Sequence, residues 1–145
     1  MNHDLVVSES IEVNAPPSKV WKALTDPEII KEYLFGTQTT TDWKVGSEIT
    51  FEGVFGDNNE YSYCDKGVIK ENIPNEKLSY SYWSGFSNLE DKPENYSLVT
   101  YTLKPNGNGT LFTWTQKGYG SEEGYQHSLG GMKDFLTQIK EIMER

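Results

Sequence analysis

Cysteine, histidine and basic residues are all scarce in this chain of 145 residues. The single cysteine, Cys64, excludes an intrachain disulfide and is typical of a protein from a reducing cytosol. Acidic residues outnumber basic ones by 22 to 13, giving a formal net charge of −9. Since nucleic acids and anionic lipid surfaces are bound by basic faces, this balance argues against both as partners. We therefore expect a cytoplasmic protein with a different kind of partner.

Long apolar runs are missing as well. No stretch of the sequence approaches the roughly 20 apolar residues that a membrane-spanning helix needs. The N-terminus shows no basic segment followed by an apolar one, so we expect no signal peptide. A length of 145 residues suits one domain with a substantial core. We therefore expect residues 1–145 to form a single domain outside the membrane.

Few residues have the spacing that metal or covalent chemistry requires. The histidines, His3 and His127, form no ligand pair with each other or with Cys64, so we expect no metal and no cofactor. Asp65 follows Cys64 directly, and its charge would raise the thiol pKa, which favours an inert cysteine. The acidic pairs at 90–91 and 122–123 lie in polar segments, and the glycines of 118–124 do not follow the phosphate-binding pattern. The sequence therefore predicts no catalytic residues.

Two short helices are predicted after a first strand at residues 4–13. Pro17 can open the first helix, whose apolar residues recur at helical spacing. Asp26 followed by Pro27 indicates the N-cap and first residue of the second helix, and Gly36 marks its end. The chain therefore passes from one strand through two helices before the next strand begins.

Between residues 37 and 118 the apolar pattern changes to a period of two. Alternating segments such as 61–73 and 78–82 are separated by short turns rich in Asn, Gly and Pro. About six such segments follow one another without an intervening helix. This pattern indicates an antiparallel meander, to which the first strand can add.

The last segment, residues 121–145, has the pattern of a long amphipathic helix. Ser121 is a suitable N-cap, and the apolar residues recur at steps of three and four. Its length of about 35 Å allows it to cross a whole sheet. Gly130 and Gly131 lie inside it, and since each glycine costs about 1 kcal/mol in a helix, we expect a bend or a close approach of another backbone there.

Aromatic residues are abundant, at 13% of the chain. A curved sheet around one helix leaves a gap unless large side chains fill it, and buried tyrosine hydroxyls need partners that a wet or ligand-filled gap supplies. We therefore predict a ligand cavity. Its candidate residues on the sheet are Phe51, Ile69, Tyr80, Tyr82, Tyr101, Phe112 and Trp114; those on the helix are Tyr125, Met132, Phe135 and Leu136, with His127 at the mouth as a hydrogen-bonding group or as an ordinary surface histidine.

Several segments together resemble a known family. They are residues 11–28 (IEVNAPPSKVWKALTDPE), 43–47 (WKVGS), 67–71 (GVIKE), 78–83 (LSYSYW), 99–103 (VTYTL) and 109–110 (GT). In this order they are similar to the helix-grip domains related to the START lipid-transfer domain and the birch-pollen allergen. Within that superfamily they most resemble the family named after the C-terminal domain of the activator of heat-shock protein 90 ATPase.

The resemblance implies an α+β helix-grip fold, with a curved antiparallel sheet wrapped around the C-terminal helix, and an interior cavity. It implies no shared catalytic set, and Gln116 stands where relatives often carry histidine. The function expected first is binding of a small hydrophobic or aromatic molecule, such as a lipid or a polyketide-like compound. The alternatives are a chaperone-regulating module and an enzyme of the cyclase or hydratase kind. The oligomeric state stays open, with Trp83 and Phe86 as a candidate contact.

Overall fold

A curved antiparallel sheet and three α-helices make up the computed structural model, which describes residues 5–34, 36–55, 57–84, 89–119 and 121–145. Within these residues the sheet has seven strands, in the spatial order β1-β7-β6-β5-β4-β3-β2. The elements along the chain are β1 (Val6–Val13), α1 (Pro17–Thr25), α2 (Pro27–Tyr33), β2 (Gln38–Thr40), β3 (Glu48–Phe55), β4 (Tyr61–Ile73), β5 (Lys77–Tyr82), β6 (Ser97–Asn106), β7 (Gly109–Lys117) and α3 (Glu122–Met143).

The meander predicted from the alternating pattern is confirmed. Strands β2 to β7 each pair with the next strand in sequence, and β1 pairs with β7, so that the first strand closes the far side of the sheet. A register shift between Ile69 and Glu71 interrupts the pairing of β4 with β5. Such a bulge increases local twist and bends the strand. Next to it, Gly67 lies against the Ser81 backbone, where any side chain would overlap the carbonyl oxygen.

The two short helices begin as the sequence indicates. Pro17 is the first residue of α1, and Pro27 is the first residue of α2. The Asp26 side chain accepts a hydrogen bond from the Glu28 amide at 3.0 Å, which confirms it as an N-cap. The hydroxyl of Tyr33, at the end of α2, donates to the Ala23 carbonyl at 2.9 Å and joins the two helices.

Helix α3 divides into two halves that pack differently. Ser121 caps it by accepting a hydrogen bond from the Gly124 amide at 3.1 Å. In the C-terminal half, Leu136, Ile139 and Met143 are buried in the core. The second half of α3 therefore anchors the helix to the sheet.

Among the described residues, no helix is both long and apolar enough to cross a membrane.

The N-terminal half of α3 is less buried than the C-terminal half. Added side chains at Gly130 and Gly131 would meet no heavy atom within 4 Å, and Leu129 is 47% exposed. The expected close approach of another backbone at these glycines is therefore wrong, and α3 runs through them without interruption. Gly131 leaves open space beside the helix that belongs to the site described next, whereas Gly130 does not line that site.

The two faces of the sheet differ in chemistry. On the convex face, serine and threonine hydroxyls pair across strands, as between Ser10 and Thr113 at 2.7 Å. On the concave face, Tyr101 lies opposite Trp114, and Leu103 opposite Phe112. Because alternate residues point to opposite faces, the aromatic positions of successive strands gather on the side that faces α3.

Candidate functional site

An inner chamber of about 450 Å³ lies between the concave face of the sheet, the end of α2 and the N-terminal half of α3. This volume falls within the range of small-molecule sites in proteins. The residues that line it are Leu34, Thr37, Phe51, Tyr63, Asp65, Tyr80, Tyr82, Val99, Tyr101, Trp114, Gln116, His127, Ser128, Gly131, Met132 and Phe135.

Aromatic rings form a continuous series around this chamber. Phe51 contacts Tyr82 at 6.1 Å and Tyr80 at 5.7 Å between ring centroids, and Tyr80 contacts Tyr101 at 5.8 Å. Tyr101 then packs edge-on against Trp114 at 5.5 Å. Such tilted and edge-to-face pairs add about 0.5–1.5 kcal/mol each beyond the burial of area. The contacts between the rings therefore hold the wall in place, while the space in front of the wall is not filled by side chains.

One ring contact links the sheet to the long helix. Trp114 on β7 packs edge-on against Phe135 on α3 with centroids 4.5 Å apart, and Phe135 in turn contacts Tyr33 of α2 at 5.8 Å. These contacts close the chamber where the two halves of α3 meet. Beyond Phe135, toward the N-terminus of α3, the small residues Ser128 and Gly131 line the opening.

Tyrosine hydroxyls in the wall pair with one another and with one carboxylate. Tyr80 and Tyr101 share a hydrogen bond of 2.8 Å, and Tyr82 donates to Asp65 Oδ2 at 2.7 Å. Burial raises the pKa of Tyr101 to about 12 and raises the pKa of Tyr80 well above its usual value. Burial, followed by the Asp65 charge, does the same to the pKa of Tyr82. These hydroxyls are therefore protonated donors at neutral pH.

Tyr63 reaches the chamber because its cross-strand neighbour is a glycine. Gly53 lies directly opposite Tyr63 in the pairing of β3 with β4, and any side chain at position 53 would overlap the tyrosine hydroxyl. That hydroxyl shares a hydrogen bond with Thr37 Oγ1, which also donates to the Leu34 carbonyl at 2.6 Å. The glycine thus places a polar group at the end of the chamber near α2.

A second, outer chamber of about 550 Å³ adjoins the first. Its lining is more polar, and it shares Asp65, Tyr82, Gln116, His127 and Ser128 with the inner chamber. The residues that line only the outer chamber are Trp83, Ser84, Leu89, Asn95, Ser97, Tyr119, Ser121, Glu123 and Gly124. The two chambers therefore form one site, of which one part is aromatic and the other more polar.

Gln116 is the central polar group where the chambers meet. It is buried, its Nε2 donates to Ser97 Oγ at 2.8 Å, and its Oε1 accepts from Ser128 Oγ at 3.4 Å. This network connects β6, β7 and α3. Gln116 is thus a neutral hydrogen-bonding link between the sheet and the helix.

The predicted site residues separate into two groups in the structure. Eight line the inner chamber, namely Phe51, Tyr80, Tyr82, Tyr101, Trp114, His127, Met132 and Phe135. Ile69, Phe112 and Leu136 are buried in the hydrophobic core, and Tyr125 packs against Tyr119 with ring centroids 5.7 Å apart. None of these four residues lines either chamber, because a side chain on the concave face or on α3 can pack against the core instead of bordering the gap. A role of the other eight in ligand binding stays a prediction.

Asp65 is the chief polar residue that the sequence interpretation missed. It lies four residues before Ile69 on β4, with the same inward parity, and pairs across the sheet with Phe51. Asp65 can be found by counting back from Ile69 along the strand in steps of two. It was missed because an acidic residue on an otherwise apolar face is more typical of a turn. Gly131 was predicted to mark a bend or a close approach of another backbone and not to line the chamber.

The other candidate groups lie outside the inner chamber. Burial, with the charges of Glu52 and Asp65, raises the pKa of the Cys64 thiol, as an inert cysteine requires. Within the part of the chain that the structure describes, no three of His, Cys, Asp and Glu gather as metal ligands would. Trp83 stacks on Tyr96 at 6.5 Å and lines the outer chamber, whereas Phe86 lies outside the described residues.

A sheet that grips one helix and leaves an aromatic cavity between them defines a helix-grip protein. The model of the family of Activator of Hsp90 ATPase homolog 1-like proteins matches residues 14–144 of this chain. The chain therefore belongs to that family. Among curated proteins, no sequence matches significantly.

Solved structures share the whole fold. The solution structure of ChR145 from Cytophaga hutchinsonii is 38% identical, with a TM-score of 0.82 over 99% of this chain and 97% of that one. The crystal structure of MLL2253 from Mesorhizobium loti is 25% identical, with a TM-score of 0.74 over 97% of both chains. The Aha1 dimer from Colwellia psychrerythraea is 20% identical, with a TM-score of 0.72 over 96% of both, and shows likeness of fold alone.

Proposed function

We propose that this protein binds a small hydrophobic or aromatic molecule in the inner chamber. The observation that carries the proposal is the wall itself, in which Phe51, Tyr80, Tyr82, Tyr101 and Trp114 surround about 450 Å³ of space. Apolar surface transferred from water to such a wall contributes about 25 cal/mol per Å². Aromatic ligands gain further from edge-to-face contacts with rings that are already held in place.

An unpartnered donor in the wall supports the same function. The indole Nε1 of Trp114 is buried and has no hydrogen-bond partner among the described residues. Burying such a donor unpaired costs about 1–3 kcal/mol. Because the atom is covered by its neighbours, a ligand oxygen would remove this cost only if those neighbours move when the ligand binds. The Trp114 indole is therefore a sensitive reporter of binding in the chamber.

Nuclear magnetic resonance tests the proposal through the indole N–H signals. A panel of flavonoids, naphthols and fatty alcohols is titrated into the labelled protein. A compound that binds in the chamber shifts the Trp114 indole signal, which is assigned with a Trp114→Phe variant. The Trp21 indole, which lies on α1 and lines neither chamber, serves as the control. If no compound moves Trp114 more than Trp21, the proposal fails.

The alternative of a chaperone-regulating module calls for an exposed apolar patch. The exposed large apolar residues among those described are Val6, Val45, Val54, Tyr61, Ile73 and Leu129. They belong to different elements, namely β1, a turn, β3, β4 and α3. Scattered single residues of this kind are ordinary on protein surfaces. We therefore place ligand binding first, and a pull-down with a bacterial heat-shock protein 90 at low and high salt tests the alternative.

A further inference from the structure

The hydroxyl protons of the inner chamber can be assigned to their acceptors one by one. Most of them are used within the protein. The hydroxyls of Thr37, Tyr82 and Ser128 donate to the Leu34 carbonyl, Asp65 Oδ2 and Gln116 Oε1. Because the proton of Thr37 is used in this way, its Oγ1 accepts from the Tyr63 hydroxyl. These four hydroxyl protons therefore have acceptors inside the protein.

The pair formed by Tyr80 and Tyr101 is different, because its two hydroxyls share a single hydrogen bond. Each hydroxyl has one proton, and the bond of 2.8 Å between them uses only one of the two. No further acceptor among the described residues is hydrogen-bonded to either hydroxyl. One proton of the pair is therefore left over, and a buried donor without an acceptor is destabilising.

The remaining proton can be carried by either tyrosine. The bond between the hydroxyls can run in either direction, so the free proton lies on Tyr80 or on Tyr101. Both side chains line the inner chamber, where they stay 6% and 9% exposed. Burial raises the pKa of both residues, which keeps both hydroxyls protonated at neutral pH. The pair is therefore a neutral donor, and the bond behind it strengthens the hydrogen bond that it gives to a ligand.

We propose that the Tyr80–Tyr101 pair holds the carbonyl oxygen of an aromatic ketone or quinone in the inner chamber. A carbonyl oxygen accepts a hydrogen bond and brings no proton of its own, so it balances the pair. An alcohol or a phenol would add a proton that needs a further acceptor. A carboxylate would lose the solvation of a full charge in a chamber lined mainly by aromatic rings. The inference rests on the proposed function and narrows its ligand class.

The charged groups of the outer chamber do not enter this inference. The positive end of the α3 dipole lies there, where Ser121 and Gly124 line the wall, together with the carboxylate of Glu123. Asp65 keeps its bond from Tyr82 and has no part in holding the carbonyl. The proposal therefore concerns one atom of the ligand in the inner chamber and leaves the charge of its other end open.

Two probes of nearly the same shape test the inference. They are acetonaphthone and isopropenylnaphthalene, in which a methylene group replaces the carbonyl oxygen. Their dissociation constants are measured from the Trp114 indole signal, with the parent protein and with a double variant that combines Tyr80→Phe and Tyr101→Phe. This variant keeps both rings and lacks both hydroxyls. We expect it to weaken binding of the ketone relative to the alkene at least about fivefold, or about 1 kcal/mol.

Tyr33→Phe is the matched control. It removes another buried tyrosine hydroxyl, which donates to the Ala23 carbonyl, and Tyr33 lines neither chamber. The ratio of the two dissociation constants should stay as it is in the parent protein. Because the test uses this ratio, a change in the chamber that affects both probes equally cancels.

Isotope-edited infrared spectra of the bound ketone give a second measurement, which the parent protein alone can supply. A hydrogen bond from the tyrosine pair should lower the C=O stretching frequency below its value in hexane. In the double variant the frequency should return toward that value.

The possible outcomes separate this inference from the proposed function. If the ratio is the same in the parent protein and the double variant, the assignment of the carbonyl to the tyrosine pair is overturned and the binding function stands. The same holds if the ketone bound to the parent protein absorbs as it does in hexane. If neither probe binds to the parent protein, the proposed function itself fails.

Discussion

The adjacent glycines of α3 allow binding to be separated from folding. Gly130 and Gly131 are both exposed, and an added side chain at either would meet no heavy atom within 4 Å. Only Gly131 lines the inner chamber. A Gly131→Leu variant should therefore lose ligand affinity, whereas Gly130→Leu should keep it. The two variants change the composition identically and differ in which side of the helix receives the leucine.

Both variants should be more stable than the parent protein. Replacing glycine by a good helix former inside a helix contributes about 1 kcal/mol. For a chain of 145 residues, this corresponds to a rise in Tm of about 3 °C. Helical side chains lean toward the preceding turn, so the leucine introduced at position 131 would extend over His127 and Ser128, where the chambers join.

Thermal unfolding and a binding titration on the same samples give the answer. We expect both Tm values to rise, with affinity reduced at least about tenfold for Gly131→Leu and by less than about twofold for Gly130→Leu. Equal affinities in the two variants would refute the placement of the opening at Gly131. A fall in both Tm values would refute the continuous helix at this point, since leucine would then replace glycines that the backbone requires.

Three other measurements test the packing of the wall. In urea denaturation, Tyr80→Phe and Tyr101→Phe should each cost about 1–2 kcal/mol, and the double variant should cost less than their sum, because each single change leaves a buried hydroxyl unpaired; additive costs would contradict the shared hydrogen bond. The pKa of Tyr101 is raised to about 12, against about 10 in an unfolded chain, so its contribution is complete below pH 10 and is lost as the pH rises toward 12, a slope of about 1.4 kcal/mol per unit. The part of the tyrosinate absorbance that comes from the buried tyrosines of the wall should therefore appear together with unfolding, and ionisation of all nine tyrosines in a still-folded protein would show that the wall is open to solvent. Phe112→Ala should cost about 3–5 kcal/mol, since its ring is 0% exposed, with Phe112→Leu as the milder control; a small loss in the alanine variant would mean that the core collapses easily there.

Much of the fold follows from local patterns in the sequence. Asp26 and Pro27 specify the start of α2, and Ser121 specifies the start of α3, because capping depends on a few neighbouring atoms. The long alternating segment at 61–73 matches the bounds of β4. Alternation shows which face of the sheet a residue points to, but not whether it lies in the packed core or beside the chamber. Ile69 and Tyr80 are cross-strand partners on one face, yet only Tyr80 borders the chamber.

The polar part of the site was harder to predict, since it depends on contacts between distant segments. Asp65 becomes a site residue through Tyr82 on the neighbouring region of the sheet, and Gln116 through Ser97 and Ser128. None of these pairs is close in sequence. The family resemblance implied a cavity but carried no residue roles, so the junction of the two chambers emerged only from the three-dimensional arrangement.

The small residues of α3 lie where the helix borders the inner chamber. A leucine at position 131 would favour the helix, and its Cβ would meet no heavy atom within 4 Å. Proteins ordinarily depart from local rules where function requires it. Here the departures coincide at one end of one helix, since Ser128 and Gly131 both border the chamber while Ile139 and Met143 close the other end tightly. The C-terminal half of α3 thus holds the sheet in place, and the N-terminal half leaves room for a ligand.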